Sequence, residues 1–382
     1  MMNVMPVDIR VPPASTASHL LLRDKAIAVW LDWLVTVHRP RRLRRIRRAR
    51  ANAVISAGES HSLALRADGS VACWGDNDSG QAPPGGVEGD FVAVAAGNQH
   101  SLALRADGSV ACWGDNIFAG QAPPGGVEGD FVAVAAGFDH SLALRADGSV
   151  ACWGDNEFGE APPGGVEGHF VAVAAGYSHS LAVRADGSVA CWGANGAGQA
   201  PPAGVEGDFV AVAAGNFHSL ALRADGSVAC WGWNDAGEAP PAGMEGDFVA
   251  VAAGSDHSLA LRADGSVACW GDNYFGEAPP GGVEGDFVAV AAGGAAGNGH
   301  SLAVRADGSV ACWGDNYFGE APPGGVEGDF VAVAAGSEYS LALRADGSVA
   351  CWGANTFGQA PTDALRLGEL NGTRFMTEVR IL

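Results

Sequence analysis

The chain has 382 residues, 48% of them hydrophobic and 17% charged, with a formal net charge of −21. That charge is split: residues 1–50 carry 11 Arg/Lys against 3 Asp, and the remainder carries 11 Arg against 40 Asp and Glu. The long acidic part repels phosphate, which excludes nucleic acid as its partner, and no apolar run reaches the roughly 20 residues of a transmembrane segment.

Residues 1–19 contain Pro6, Pro12 and Pro13 and read as irregular. Residues 20–37 predict a short N-terminal helix, with Ile27, Trp30, Leu31 and Leu34 on one face. Its apolar run, Ala26–Val37, is 12 residues long and contains Asp32, so a helix docked on protein is expected rather than a membrane anchor. No signal peptide is expected. Arg39 to Arg50 holds eight Arg in twelve residues. Such a run fits a solvated arm, a nuclear address, or a patch for nucleic acid or anionic membrane. An organelle transit peptide is opposed by Asp8, Asp24 and Asp32.

From about Ala53 the chain repeats itself. Trp74, Trp113, Trp153, Trp192, Trp231, Trp270, Trp313 and Trp352 follow one another at gaps of 39, 40, 39, 39, 39, 43 and 39 residues. Within the unit, Phe209–Ala214, His218–Arg223 and Ser227–Trp231 alternate apolar and polar residues or end at Gly, which predicts three strands. Asp225-Gly226 joins the last two and predicts a type I′ hairpin turn. Ala239-Pro240-Pro241-Ala242-Gly243 reads as a connector, since proline cannot donate to a ladder. A three-stranded sheet alone cannot cover both its faces. Ringing eight of them around an axis does, so an all-β propeller of short three-stranded blades is predicted. Seven blades plus a spare unit is the alternative count. A parallel β-helix fits less well, because it needs no hairpin in each repeat. Residues 53–363 are taken as the propeller, 1–52 as the arm, and 364–382 as a tail in which Arg374–Ile381 alternates like a closing strand. Copy seven carries four extra residues within Gly294–Asn298, expected as a longer loop.

The repeated pattern Gly-x2-His-Ser-Leu-Ala-Leu-Arg-Ala-Asp-Gly-Ser-Val-x-Cys-Trp-Gly-x-Asn-x2-Gly resembles the regulator of chromosome condensation repeat family over about residues 53–360. The resemblance implies a propeller, in that family commonly of seven blades. The short units are also similar to the compact blades of secreted propeller inhibitors of β-lactamase. Beside the protein-interaction module that the rim residues below suggest, the resemblance implies two functions: guanine-nucleotide exchange on a Ran-like small GTPase, and the substrate-recognition propeller of HERC-type ubiquitin ligases. An enzyme inhibitor is a fourth, but it would require an exported chain.

Chemistry is harder to find. The eight Cys, one per copy from Cys73 to Cys351, sit at equivalent positions a blade apart, beyond disulfide reach. His61, His100, His140, His179, His218, His257 and His300 recur at one position, with Tyr339 in copy eight. Each is expected to bond within its own blade, because a blade's spacing exceeds the ~2 Å of metal ligation. No GxSxG, HExxH, P-loop or dinucleotide fingerprint occurs. The reading expects no catalytic residue, no metal and no cofactor, and a non-enzymatic protein of the cytoplasm or nucleus.

The copies differ in two places, between Gly and His and after Trp-Gly. Tracing strand directions puts both on one rim and the unvarying Asp-Gly hairpins on the other. The variable rim holds Phe118, Phe138, Phe158, Tyr177, Phe217, Trp233, Tyr274, Phe275, Tyr317, Phe318 and Phe357, interspersed with Asp and Glu. Exposed aromatics on a rigid scaffold mark binding faces. These residues are the candidate partner-binding set, for another protein with a basic patch or for a small GTPase.

Overall fold

The computed structural model describes residues 54–116, 120–295, 297–363 and 365–367. Contacts divide the chain into a unit of residues 1–44 and a unit of residues 45–382. The expected N-terminal helix, the Arg run and the Arg374–Ile381 strand lie outside the described residues.

Every repeat folds as an antiparallel sheet in chain order, inner strand to outer strand. In blade five these are Phe209–Ala214, His218–Arg223 and Val228–Gly232. The middle strand is buried from His218 to Leu222, because both its faces meet neighbours. Its two faces differ in size. Leu220, Leu222, Val228 and Cys230 of blade five lie against Phe248, Val251, Ala260, Ala268 and Trp270 of blade six. Branched side chains on one face thus enter the space left by alanines on the next, and the same match recurs at the other seams. Truncating a leucine here, as in Leu220→Ala, opens a cavity costing about 2–5 kcal/mol. A bulge between Phe209 and Ala211 turns Phe209 into the core, where the Arg223 guanidinium carbon sits 5.0 Å from its ring centroid.

The hairpin differs from the type I′ turn expected. Arg223 N–H donates to Ser227 O at 2.8 Å and Gly226 N–H to Arg223 O at 3.0 Å. That makes a three-residue loop, with Gly226 at φ +94°. Asp225 is there for its carboxylate, which accepts both the backbone N–H (2.9 Å) and the hydroxyl (2.8 Å) of Ser227.

The inner strands neighbour one another in sequence order, and the inner strand of blade eight lies beside that of blade one. The ring therefore closes with eight blades, which settles the count against seven and the architecture against an open coil. Alanines and valines of the inner strands line an axial cavity of about 320 Å³. Among the described residues the closing segment is short. Leu365–Arg366 adds a fourth strand to blade eight, pairing with Ser348 and Val349. Leu367 then bridges the join: its N–H donates to Gly347 O (3.2 Å) and its carbonyl accepts Ala67 N–H of blade one (3.4 Å). Its side chain is buried in one cluster with Val54, Tyr339 and Leu343.

The insertion in copy seven is not a loop. It lengthens two strands, to Phe287–Ala295 and Asn298–Arg305, into a hairpin that outreaches the six-residue strands of other blades. Bonds to neighbours on both sides hold Gly- and Ala-rich sequence extended there.

Candidate interaction face and the belt beneath it

The two variable loops of a blade are tied together, as Trp233 N–H donates to Phe217 O at 2.8 Å. Inner loops are also tied to the next blade, as Asn216 N–H is to Ser255 O at 3.2 Å. The Asp-Gly hairpins lie at the other end, bonded to the connectors that enter the following blade, as Phe248 N–H is to Gly226 O. The rims are thus divided as the strand directions predict.

Each outer loop is shaped from within. Asn273 Oδ1 accepts Ala278 N–H at 2.9 Å, and Glu277 Oε2 accepts Phe275 N–H at 2.8 Å. Asn156 with Glu160 and Asn316 with Glu320 do the same around Phe158 and Phe318. Gln359 takes the role at Phe357. With its backbone held this way, the loop turns its aromatics outward. Phe158, Tyr177, Phe217, Trp233, Tyr274, Phe275, Tyr317, Phe318 and Phe357 are all exposed, Tyr274 at 83% and Tyr317 at 82%. The structure groups them. Phe138, half-buried, stacks on Tyr177 at 4.1 Å between centroids, and Tyr177 on Phe217 at 5.8 Å, across three consecutive inner loops. Tyr274–Phe275 and Tyr317–Phe318 form edge-on pairs, both at 4.8 Å, on adjacent outer loops. Phe118 lies outside the described residues.

Among the described residues, charge on this face has one sign. The middle strands end in Arg66, Arg105, Arg145, Arg184, Arg223, Arg262, Arg305 and Arg344 at the hairpin rim, and no Lys or Arg lies on the variable rim among the described residues. Carboxylates gather there. Burial raises the Glu277 carboxyl above its ordinary range, and Asp272 and Asp315 add to the rise. Glu320 is raised by burial and then by Asp315 and Glu338. At Glu59, burial is joined by Asp139, Asp76 and Glu338.

Beneath the loops the histidines do something other than bond within their own blades. His218 Nε2 lies 3.0 Å from Ser258 Oγ of the next blade. That hydroxyl donates to Glu238 O at 3.2 Å, and the same carbonyl accepts Trp270 Nε1–H at 2.9 Å. Since the hydroxyl proton goes to the carbonyl, Oγ accepts and Nε2 carries the hydrogen. His61, His100, His140, His179, His257 and His300 reach Ser101, Ser141, Ser180, Ser219, Ser301 and Ser340 in the same way. At the join Tyr339 replaces His: Ser62 Oγ–H donates to its Oη at 3.1 Å, and its hydroxyl donates to His61 O. The result is a continuous belt of side-chain links around all eight blades. Sequence reasoning missed it, although the signal was present: Ser follows His in seven copies and Tyr339 in the eighth, so a Ser stands one period and one residue ahead of each His. Burial pushes these imidazoles down, to about 4 at His61, His218 and His300 and about 3 at His100, His140, His179 and His257.

The cysteines are free, partly or fully buried, and burial pushes their thiols up to about 12. Among the described residues no group of three or more His, Cys, Asp or Glu is placed to hold a metal, and no helix is long and apolar enough to cross a membrane.

Residues 54–81, 91–121, 131–160, 170–199, 209–238, 248–277, 287–320 and 330–359 each match the regulator of chromosome condensation (RCC1) repeat. The chain belongs to this family. Its RCC1 blades are similar in fold to several solved propellers. One is the CRINKLY WD40 ectodomain of the Arabidopsis thaliana receptor kinase ACR4, at 23% identity over 81% of this chain and 98% of that one, TM-score 0.53. Another is Prp20p of Saccharomyces cerevisiae, at 21% over 75% and 81%, TM-score 0.51. A third is human WBSCR16, at 21% over 75% and 85%, TM-score 0.51. No curated protein matches the sequence. The belt and the loop scaffold are what these RCC1 units repeat; the aromatics are where they diverge.

Proposed function

We propose that this RCC1-repeat chain is a non-enzymatic interaction module whose variable rim binds another protein carrying a basic patch. One observation carries the reading: exposed aromatics and carboxylates share a rim that has no Lys or Arg among the described residues. Aromatics supply the desolvated anchors of an interface, and complementary charge supplies steering and register. The same negative field opposes nucleic acid at the ring. Replacing Phe158, Trp233, Tyr274 and Tyr317 together by Ala tests it. Partner captured by the intact chain should fall at least about tenfold, since one truncated hot spot typically costs more than ~1 kcal/mol. Undiminished capture rejects the reading.

A second reading is guanine-nucleotide exchange on a Ran-like GTPase. It is favoured by the fold likeness to Prp20p, a protein described by its binding to Gsp1p and histones. Release of labelled GDP from a Ran-like GTPase, accelerated by this chain, is the result it requires.

A further inference from the structure

We propose that blades six and seven form one recognition sector for a basic segment of a partner protein, seating two cationic side chains one blade apart. The proposal rests on the reading that the variable rim binds protein, and it specifies where and by what chemistry.

Copies six and seven carry the same outer loop, Asp-Asn-Tyr-Phe-Gly-Glu, at 272–277 and 315–320. They are adjacent blades, and their geometry is duplicated as well as their sequence. Both Tyr–Phe pairs are edge-on at 4.8 Å. In each loop the Phe N–H is held by the Glu carboxylate at 2.8 Å. Tyr274 and Tyr317 are the most exposed of the large hydrophobic side chains described, so their exposure belongs to fixed loops. A carboxylate holds the backbone of each tyrosine: Asp272 Oδ1, half-buried, accepts Tyr274 N–H at 3.2 Å, and Asp315 Oδ1, largely buried, accepts Tyr317 N–H at 3.1 Å. An exposed aromatic face on a loop that carries Asp and Glu, with no protein cation on that rim among the described residues, suits Arg or Lys by cation–π attraction and by attraction to the acidic loop. An acidic or phosphate-bearing ligand meets repulsion there.

The elongated hairpin of blade seven supplies the second element. It rises from the inner and middle strands and is braced on both sides. Gly297 N–H donates to Asp256 Oδ2 at 2.9 Å on blade six, and Gly294 N–H donates to Gly336 O at 3.0 Å on blade eight. A rigid wall on the axial side leaves the outer rim, from Tyr274 to Tyr317, as the track for a bound segment. Two fixed stations select the spacing of two cations, which one station could not do.

Fluorescence anisotropy with the intact chain tests this, using labelled peptides with two arginines at graded spacing and the same peptides with citrulline, a neutral analogue. One spacing should bind best, and its citrulline form should bind at least about tenfold more weakly. Tyr274→Ala with Tyr317→Ala should lower affinity about tenfold or more. Asp272→Asn with Asp315→Asn keeps the oxygen that accepts the loop N–H but removes the charge; it should weaken binding and flatten its salt dependence. Glu245→Gln with Glu284→Gln, exposed carboxylates of the connectors at the opposite, hairpin rim, should change affinity by less than about twofold. Absence of binding at every spacing, equal loss from the Glu245/Glu284 change, or indifference to the tyrosines overturns the sector. None of these touches the broader reading, which stands or falls on capture by the quadruple variant.

Discussion

Ser258 and His218 are unequal members of one bond. Removing the serine hydroxyl, as in Ser258→Ala, leaves a buried imidazole N–H without its acceptor and should lower unfolding stability by about 1–3 kcal/mol in urea titration. The thiols make the opposite case. Their burial and pKa of about 12 predict that native Cys191, Cys230 and Cys269 resist alkylation near neutral pH and react only when the chain unfolds, read by mass spectrometry with and without denaturant. At this scale sequence reasoning reached the exposure of Tyr274, Tyr317 and Trp233, because residues that vary on a repeated scaffold have no core duty. It failed on His218. A single unit displays His beside Ser but does not display which blade the imidazole leans toward; that is set by the seam.

The hairpin and the rim loops are the elements that repay a local reading. Asp225-Gly226 marked a turn correctly, yet the turn holds three residues, because Arg223 and Ser227 pair across it. At Gly226 a Cβ would face φ +94° and the Asp247 backbone 3.1 Å away, so Gly226→Ala should cost about 1–2 kcal/mol or more, measurable as a lower thermal midpoint. The insertion in copy seven misled for a physical reason. Gly293, Gly294 and Ala295 have weak strand propensity, and the hairpin they build is held by residues on other blades: Gly294 bonds Ser255 and Gly336, and Gly297 bonds Asp256.

For the whole molecule, seven neutral imidazoles make the ring acid-sensitive. Their native values near 3–4 lie below the unfolded value of 6.5, so the unfolded chain binds more protons below that pH. Stability present above about pH 6.5 is therefore lost as pH falls, at up to roughly 1.4 kcal/mol per pH unit for each His. Glu160, Glu238, Glu277 and Glu320, all raised, act with the opposite sign and blunt the loss at its acid end. Circular dichroism should show one steep transition between about pH 4.5 and 6, taking up several protons, and His218→Ala should reduce that uptake by about one. The eight-blade count was legible, since every copy carries a full set of strands. The join was not: Leu365–Leu367 has no motif, and its role exists only where the last blade meets the first. The belt has one more consequence. A unit that gives to the unit ahead and receives from the unit behind arrives with both halves of its joint. As far as the belt is concerned, whole units are therefore interchangeable at any interior point, and a gene that duplicates or drops one leaves each His–Ser joint intact. Tyr339 and Leu367 are the exceptions, the two places where the chain records that it has come full circle.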